Sequence, residues 1–338
     1  MIYNRTVASS VYLSGADVIL IDVQLSRKNL TERTKTFALF LAVVMLALLL
    51  LSQASKANAA SSSSSTKPTA SQLLARLAPN RGLNRACSAF RENEPLCTFG
   101  AKPNVLLWGD SFAMQLGLGL KSGAHPIHFV QQTLSVCSPI FDIAPQNANG
   151  GVPFAKKCIA ENNNVYDWLK RHTNIKYVIL GSHWINALAT HGTIYKLGGQ
   201  IGHFSQFAFD QFAITLRKIE SLGVKPVVVT ETPTNGEDHG ACVTKALLAG
   251  TATTACAFAH SSDTEIKINT KVAKAAQAAG ASVFWLENLL CSKTICDATR
   301  GDVILYRDSH HLTMEASVYL GEKFDLGQKL ILAAKKRL

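Results

Sequence analysis

The hydrophobic pattern of the chain falls into five short apolar runs, at 104–108, 126–130, 177–180, 226–230 and 282–286, separated by longer stretches of helical periodicity. The runs are nearly continuous rather than alternating, which fits strands covered on both faces, as in a parallel sheet. Between the third and fourth runs, Phe209, Phe212, Ala213, Leu216 and Ile219 recur at helical spacing, with Ser205 as a start and Gly223 as a stop. A second helix runs through Ile268, Val272, Ala275 and Ala279 and ends at Gly280. This alternation predicts an α/β fold, a three-layer αβα sandwich with a central parallel sheet of about five strands and right-handed crossovers. There is no internal repeat and no second break in composition, so residues 79–338 read as one domain. Ligands of such sheets sit beyond the carboxyl ends of the strands.

A different pattern precedes this region. Residues 37–51 are uninterrupted apolar sequence, preceded by Arg27, Lys28, Arg33 and Lys35 and followed by Ala57-Asn58-Ala59. The run is shorter than the about 20 residues of a membrane span and fits the core of a signal peptide cleaved just before Ala60. The same run, left uncleaved, would serve as a membrane anchor. The expected organisation is an N-terminal extension with signal peptide or anchor at 1–59, a Ser-rich linker at 60–78, and a folded part that begins near Pro79.

Composition narrows the picture. With 47% hydrophobic and 17% charged residues, the 338-residue chain is neither disordered nor collagen-like. Its net charge of +11 suits a dispersed exported protein and equally attracts anionic glycans or membrane surfaces, so charge alone assigns no partner, and nucleic acid is not expected. The eight cysteines are an even number without CxxC or Cys/His spacing typical of zinc. Disulfides outside the cytosol, with no metal and no cofactor, are the expectation.

The first apolar run leads straight into Gly109-Asp110-Ser111, after which 112–120 reads as helical. A serine on a sharp strand-to-helix turn presents its hydroxyl over the sheet edge, and its N–H lies at a helix start, where developing negative charge is stabilised. The tripeptide is also a common turn and cap sequence. Near the other end, Asp308-Ser309-His310-His311-Leu312-Thr313 precedes the final helix, which Thr313 can cap. Asp308 and His311 are spaced so that the carboxylate takes one ring nitrogen and leaves the other facing outward, as a serine nucleophile requires of its base. His310 is the rival base, or a surface or packing histidine.

Trp108-Gly109-Asp110-Ser111 together with Asp308-x-x-His311-Leu312-Thr313 resembles the SGNH hydrolase superfamily, whose fold is flavodoxin-like. More narrowly, it resembles the SGNH domain fused to, or partnered with, acyltransferase-3 type membrane proteins that O-acetylate cell-surface polysaccharides. Cys137-Ser138-Pro139, Trp184 and a cysteine pair before the Asp-x-x-His loop agree with this over 85–335. The resemblance implies Ser111 as nucleophile, His311 as general base and Asp308 as its orienting partner. The family's oxyanion glycine is missing from Gln131-Gln132-Thr133-Leu134-Ser135-Val136-Cys137, and its Gly-x-Asn-Asp block reads Gly181-Ser182-His183-Trp184-Ile185-Asn186. The Ser111 N–H is then the first oxyanion donor, and Asp110, Ser135, Gly181, His183, Trp184 and Asn186 are candidates for the oxyanion hole or substrate pocket. Trp184 either stacks on a sugar ring or belongs to the core. Short spacings and the resemblance favour neighbouring disulfides, Cys87 with Cys97, Cys137 with Cys158, Cys242 with Cys256, and Cys291 with Cys296. The implied function is an exported, periplasmic or cell-envelope serine O-acyltransferase that acetylates a polysaccharide, with the acyl group supplied by a separate membrane acyltransferase. Alternatives are an SGNH esterase or deacetylase, with water as acceptor, and a catalytically inactive glycan-binding module.

Overall fold

The computed structural model describes residues 67–336, apart from 94, 147–149, 189–191 and 260–262. The apolar run at 37–51, with its reading as signal peptide or anchor, lies outside the described residues. Among the described residues no helix is long and apolar enough to cross a membrane.

All five apolar runs contribute strands to one sheet, which a sixth, short strand extends. In chain order these are β1 (Thr98–Phe99), β2 (Val105–Gly109), β3 (Phe129–Thr133), β4 (Tyr177–Gly181), β5 (Lys225–Val229) and β6 (Ser282–Phe284). Their spatial order is β1-β3-β2-β4-β5-β6. The five predicted strands run parallel, while β1 pairs antiparallel with β3 and closes that edge. Alternate residues of one strand enter opposite layers, as the pleat requires. Leu106 and Trp108 of β2, with Val178 and Leu180 of β4, pack on one side with Phe212 and Leu216. Val105 and Leu107, with Ile179 of β4, pack on the other with Leu120, Leu320 and Leu330. The first helix layer contains α4 (Gly151–Arg171), α5 (Ser205–Ser221) and α7 (Asp263–Ala278). The second contains α3 (Gly117–Lys121), α8 (Met314–Phe324) and α9 (Leu326–Lys335). The fold is therefore the expected three-layer sandwich.

Three boundaries differ from the sequence pattern. Strand β3 lies three residues beyond the run at 126–130, because Gln131, Gln132 and Thr133 are buried in it with their polar atoms satisfied. Gln131 Oε1 accepts from Leu83 N–H, Gln132 Nε2 donates to the Arg91 carbonyl, and Thr133 Oγ1 donates to the Cys87 carbonyl. The segment expected to be linker up to residue 78 contains helix α1 (Ala70–Arg76), capped by Thr69 and Gln72 and anchored by the fully buried Leu73. Leu73 packs with Val243 and Ala246 of helix α6 (His239–Ala249). The expected final helix is two helices, α8 and α9, divided at Asp325 in the left-handed conformation.

All four disulfides join the expected neighbours, and every described cysteine is paired.

Candidate active site

The serine-bearing turn is set by a close approach of two strands. Gly109 ends β2 opposite Gly181 of β4, at φ +149°, and a Cβ there would lie 1.9 Å from the Gly181 carbonyl oxygen. Only glycine fits such a contact in this backbone region. The chain then turns through Asp110 into α2 (Ser111–Met114), whose first residue is Ser111. Asp110 caps α2 by accepting the Phe112 N–H at 2.8 Å. Its other oxygen accepts from Ser182 Oγ at 2.7 Å and from the His183 N–H at 2.9 Å. Asp110 thus joins the loops after β2 and β4 from a buried position. Burial pushes its carboxyl above the ordinary range against the opposing effect of these hydrogen bonds and of His311.

The second loop reaches the same edge from 200 residues away. His311 Nε2 lies 2.9 Å from Ser111 Oγ, and His311 Nδ1 lies 2.9 Å from Asp308 Oδ2. Asp308 Oδ1 accepts the backbone N–H groups of His310 and His311 at 3.0 and 2.7 Å, which folds the loop around the carboxylate. Arg307 Nη2 lies 3.1 Å from Asp308 Oδ2. Burial alone would raise the Asp308 carboxyl, but the His311 ring, both backbone donors and the His311 charge outweigh it and hold the group well below the usual carboxylate range. An ionised Asp308 holds the His311 proton on Nδ1 and turns a basic Nε2 toward Ser111.

Several further side chains fix this loop, most of them without a signal in the sequence. Thr313 caps α8 as expected, accepting from Ala316 N–H at 2.9 Å. Gln115, just past α2, accepts the Leu312 N–H at 2.8 Å and donates to Thr232 Oγ1 at 2.7 Å, while Thr234 donates to the Ser309 carbonyl. Asn80 donates to the carbonyls of Gln115 and Thr313. These residues act by spatial adjacency across the sheet edge. Asn80 alone leaves a local trace, an Asn followed two residues later by a glycine, the pattern of an Asx turn.

The remaining candidates divide. His310, the rival base, has its Nδ1 2.7 Å from Ser309 Oγ and stacks on Phe112 and His183, with ring centres 5.7 and 5.2 Å away, whereas the hydrogen bond to Ser111 belongs to His311. Asn186 Nδ2 donates to His183 Nδ1 at 2.7 Å, which puts the proton of the neutral ring on Nε2. Burial, then the charges of His310 and His311, lower the His183 pKa to about 3. The His183 ring lies nearly parallel to Phe112, 4.9 Å away, so Phe112, His183 and His310 form a stacked wall beside the hydrogen-bonded serine and histidine.

Trp184 is not a pocket residue. It is fully buried, its Nε1 donates to the Val229 carbonyl at 2.8 Å, and its ring packs on Phe212. Gly181 is also buried and serves packing, since a Cβ there would meet the Ala113 backbone at 3.0 Å. Ser135 is half-buried and its Oγ lies 3.8 Å from Met114 Sδ. Asp308, His310 and His311 offer potential metal-ligand atoms within 4.8 Å of one another, but Asp308 and His311 are already hydrogen-bonded to each other.

The family model described as "SGNH domain (fused to AT3 domains)" matches residues 84–326. The chain belongs to this family. No curated protein matches the sequence. Among solved structures, the SGNH chain is similar to the periplasmic domain of the lipopolysaccharide acetyltransferase of Salmonella ser. Paratyphi A. The two are 20% identical with a TM-score of 0.52, and the match covers 70% of this chain and 86% of that one. At that identity the likeness speaks for the fold, which agrees with the mixed, mostly parallel sheet and its two helix layers.

Proposed function

We propose that this SGNH chain is an exported serine O-acyltransferase that forms an acyl-serine intermediate and passes the acetyl group to a hydroxyl of a cell-surface or exported polysaccharide. The observation that carries the reading is the continuous hydrogen-bonded series Ser111 Oγ, His311 Nε2, His311 Nδ1, Asp308 Oδ2. His311 takes the Ser111 proton as Oγ attacks the ester or thioester carbonyl of the donor. The oxyanion forms against the Ser111 N–H at the start of α2. Collapse of the tetrahedral intermediate returns that proton from Nε2 to the leaving group. The sugar hydroxyl then gives its proton to Nε2 as it attacks the acyl-serine, and collapse of the second tetrahedral intermediate expels Ser111 Oγ, which takes that proton back from Nε2. Asp308, held ionised, stabilises the imidazolium in both halves.

The AT3 association in the family description supports transfer and a polysaccharide acceptor, with a separate membrane acyltransferase as acyl source. The four disulfides support an oxidising, exported location. A domain beginning near residue 69, after a signal or anchor segment, completes the proposal. Esterase action is the second reading, favoured by the partial exposure of Ser111 and His311, which admits water as acceptor. A purely glycan-binding module has no need of the aligned serine, histidine and aspartate.

The deciding experiment is p-nitrophenyl acetate turnover by the purified oxidised protein, wild type beside Ser111→Ala, with and without a soluble oligosaccharide. Turnover abolished in Ser111→Ala, with acetylated oligosaccharide among the wild-type products, supports the transferase. Ser111-dependent release of acetate alone supports the esterase. Equal turnover in the two proteins sinks the mechanism.

A further inference from the structure

The hydrogen bond between Ser111 and His311 joins two loops that no strand ladder connects, so its length depends on whatever holds those loops in register. Gln115 spans them from the Ser111 side, and Gly119 N–H donates to Ser317 Oγ a little farther along α3 and α8. Asn80 spans them from outside both. It is buried, and its amide Nδ2 donates to the Gln115 carbonyl at 3.2 Å and to the Thr313 carbonyl at 3.1 Å. Gln115 follows α2, which carries Ser111, and Thr313 is two residues past His311. The Asn80 Oδ1 accepts the Gly82 N–H at 3.1 Å, which fixes which end of the amide faces the two carbonyls.

The segment carrying Asn80 is anchored on both sides. Arg76 pairs with Glu315 of α8 at 2.8 Å and also donates to the Asp302 carbonyl. Beyond Asn80, Leu83 N–H and the Arg81 carbonyl bond to the two ends of the Gln131 amide. Gly82, at φ +68°, lets the strap pass close to α2, since a Cβ there would lie 2.8 Å from the Met114 carbonyl oxygen. This strap, from Thr69 to Leu83, precedes the 84–326 region matched by the family model.

We propose that Asn80 is a positioning residue for the Ser111–His311 pair, and that the strap at 69–83 is part of the working site although it lies outside the matched domain. The inference rests on the serine mechanism proposed above. Asn80 touches no reacting atom. It clamps the carbonyls that end the two loops, and both of its amide hydrogens are needed to do so.

The test is Asn80→Asp in the full, oxidised chain. The substitution keeps the acceptor for Gly82 and replaces the double donor with an oxygen facing two carbonyls. Active sites are counted with a fluorophosphonate probe, and kcat for p-nitrophenyl acetate is expressed per labelled site. The expected result is a kcat per site lower by about 10- to 100-fold with KM little changed, the scale of a reacting pair displaced by up to an ångström. A merely structural role would lower the number of labelled sites and leave kcat per site alone. Val272→Ala, in α7 of the opposite helix layer, provides that control. The His311 Nδ1 proton resonance gives a readout independent of turnover, and it should shift or vanish in Asn80→Asp while staying put in Val272→Ala. If Asn80→Asp does not fold, Asn80→Ser is held to the same criteria. Wild-type kcat per site together with an unmoved resonance overturns the inference. A wild type whose turnover does not require Ser111 overturns the proposed function instead, and the resonance still decides the role of Asn80.

Discussion

The two loops that meet at the candidate active site are held in opposite ways. The turn after β2 is built into the sheet. Gly109 pairs with both Thr133 and Gly181, and Asp110 caps α2 while bonding the loop after β4. The loop before α8 has no such ladder on the main sheet. It has a short backbone bridge of its own, with Arg307 N–H donating to the His311 carbonyl and Thr313 N–H to the Leu305 carbonyl. It is otherwise held by side chains, with Asp308 folded onto its own backbone, Gln115 and Thr234 gripping it from outside, and Thr313 capping the helix that follows. Rigidity from a ladder is cooperative and hard to remove piecemeal, whereas rigidity from individual side-chain bonds can be removed one bond at a time. Damage on the turn side should therefore appear in folding, and damage on the loop side in rate.

Asp308→Asn is the sharpest break on the loop side. Asparagine keeps an oxygen that can accept the His310 and His311 N–H groups but loses the charge that holds the His311 proton on Nδ1. The expected result is kcat lower by about 10⁴-fold at a temperature where the variant is fully folded, far more than the moderate loss of stability that goes with removing an ionised, paired carboxylate. Steady-state kinetics beside a thermal melt would show it, and a large loss of stability with little loss of rate would refute the contrast. Gly109→Ala is the matching break on the turn side. Its Cβ would meet the Gly181 carbonyl at 1.9 Å, so β2 and β4 must separate. A loss of about 3 to 5 kcal/mol or failure to fold is expected, consistent with strain at a constrained backbone position. Denaturant unfolding measures it, and a loss below about 1 kcal/mol would show that the turn is softer than its geometry implies.

The same contrast separates what was legible in the sequence from what was not. The turn side could be read because strand, glycine and cap are consecutive, and Asp308 and His311 because they are three residues apart. The residues that hold the loop were illegible because Gln115, Thr232 and Thr234 come from distant parts of the chain and carry no local pattern, and the Asx-turn trace of Asn80 says nothing of the loop it reaches. Strand β3 was misplaced by its polar residues for a similar reason. Gln131, Gln132 and Thr133 belong inside only because the segment from Arg81 to Arg91 supplies backbone partners. Trp184 was ambiguous in sequence because a tryptophan after a strand suits either core or pocket, and the Val229 carbonyl decides for the core by accepting its indole N–H. The strap's first helix was hidden by the serine run before it, although Thr69 and Gln72 form a capping box that sequence could have revealed.

Gln115 tests whether the two loops depend on each other. It is buried, and Gln115→Leu would leave the Leu312 N–H and Thr232 Oγ1 without these partners. A stability loss of about 1 to 3 kcal/mol is expected, the range for a buried polar group left unsatisfied. A fall in kcat at a temperature where the variant is fully folded should accompany it. Unchanged kcat in the folded variant would mean that the remaining contacts, from Asp308, Thr234, Asn80 and Thr313, hold the loop without Gln115.

The smallest effect concerns the stacked wall where the two regions face each other. His183 follows β4 on the turn side, His310 belongs to the loop, and both rings are held below the ordinary histidine pKa by burial and by neighbouring positive charge, His183 at about 3. An unfolded histidine titrates near 6.5. As pH falls below that value the unfolded chain binds a proton that the folded wall refuses, so the contribution of His183 to stability is fully present above about 6.5 and is lost as pH falls toward 3. One proton corresponds to a slope of at most about 1.4 kcal/mol per pH unit, and the partial exposure of His183 makes the real slope smaller. Asp308, shifted downward, also loses its contribution on acidification, but only below the ordinary carboxylate pKa of about 3.9. Between about pH 4.5 and 6.5 the histidines can therefore be read separately from Asp308. Burial raises the Asp110 carboxyl, which then takes up a proton more readily folded than unfolded and opposes the histidines, so the readout is the difference between curves. In urea unfolding across that window, wild-type stability should fall more steeply, or rise less, with acid than that of His183→Asn. Parallel curves would show that the ring accepts a proton as readily folded as unfolded, so that acid does not drive the turn and the loop apart by charging the wall between them.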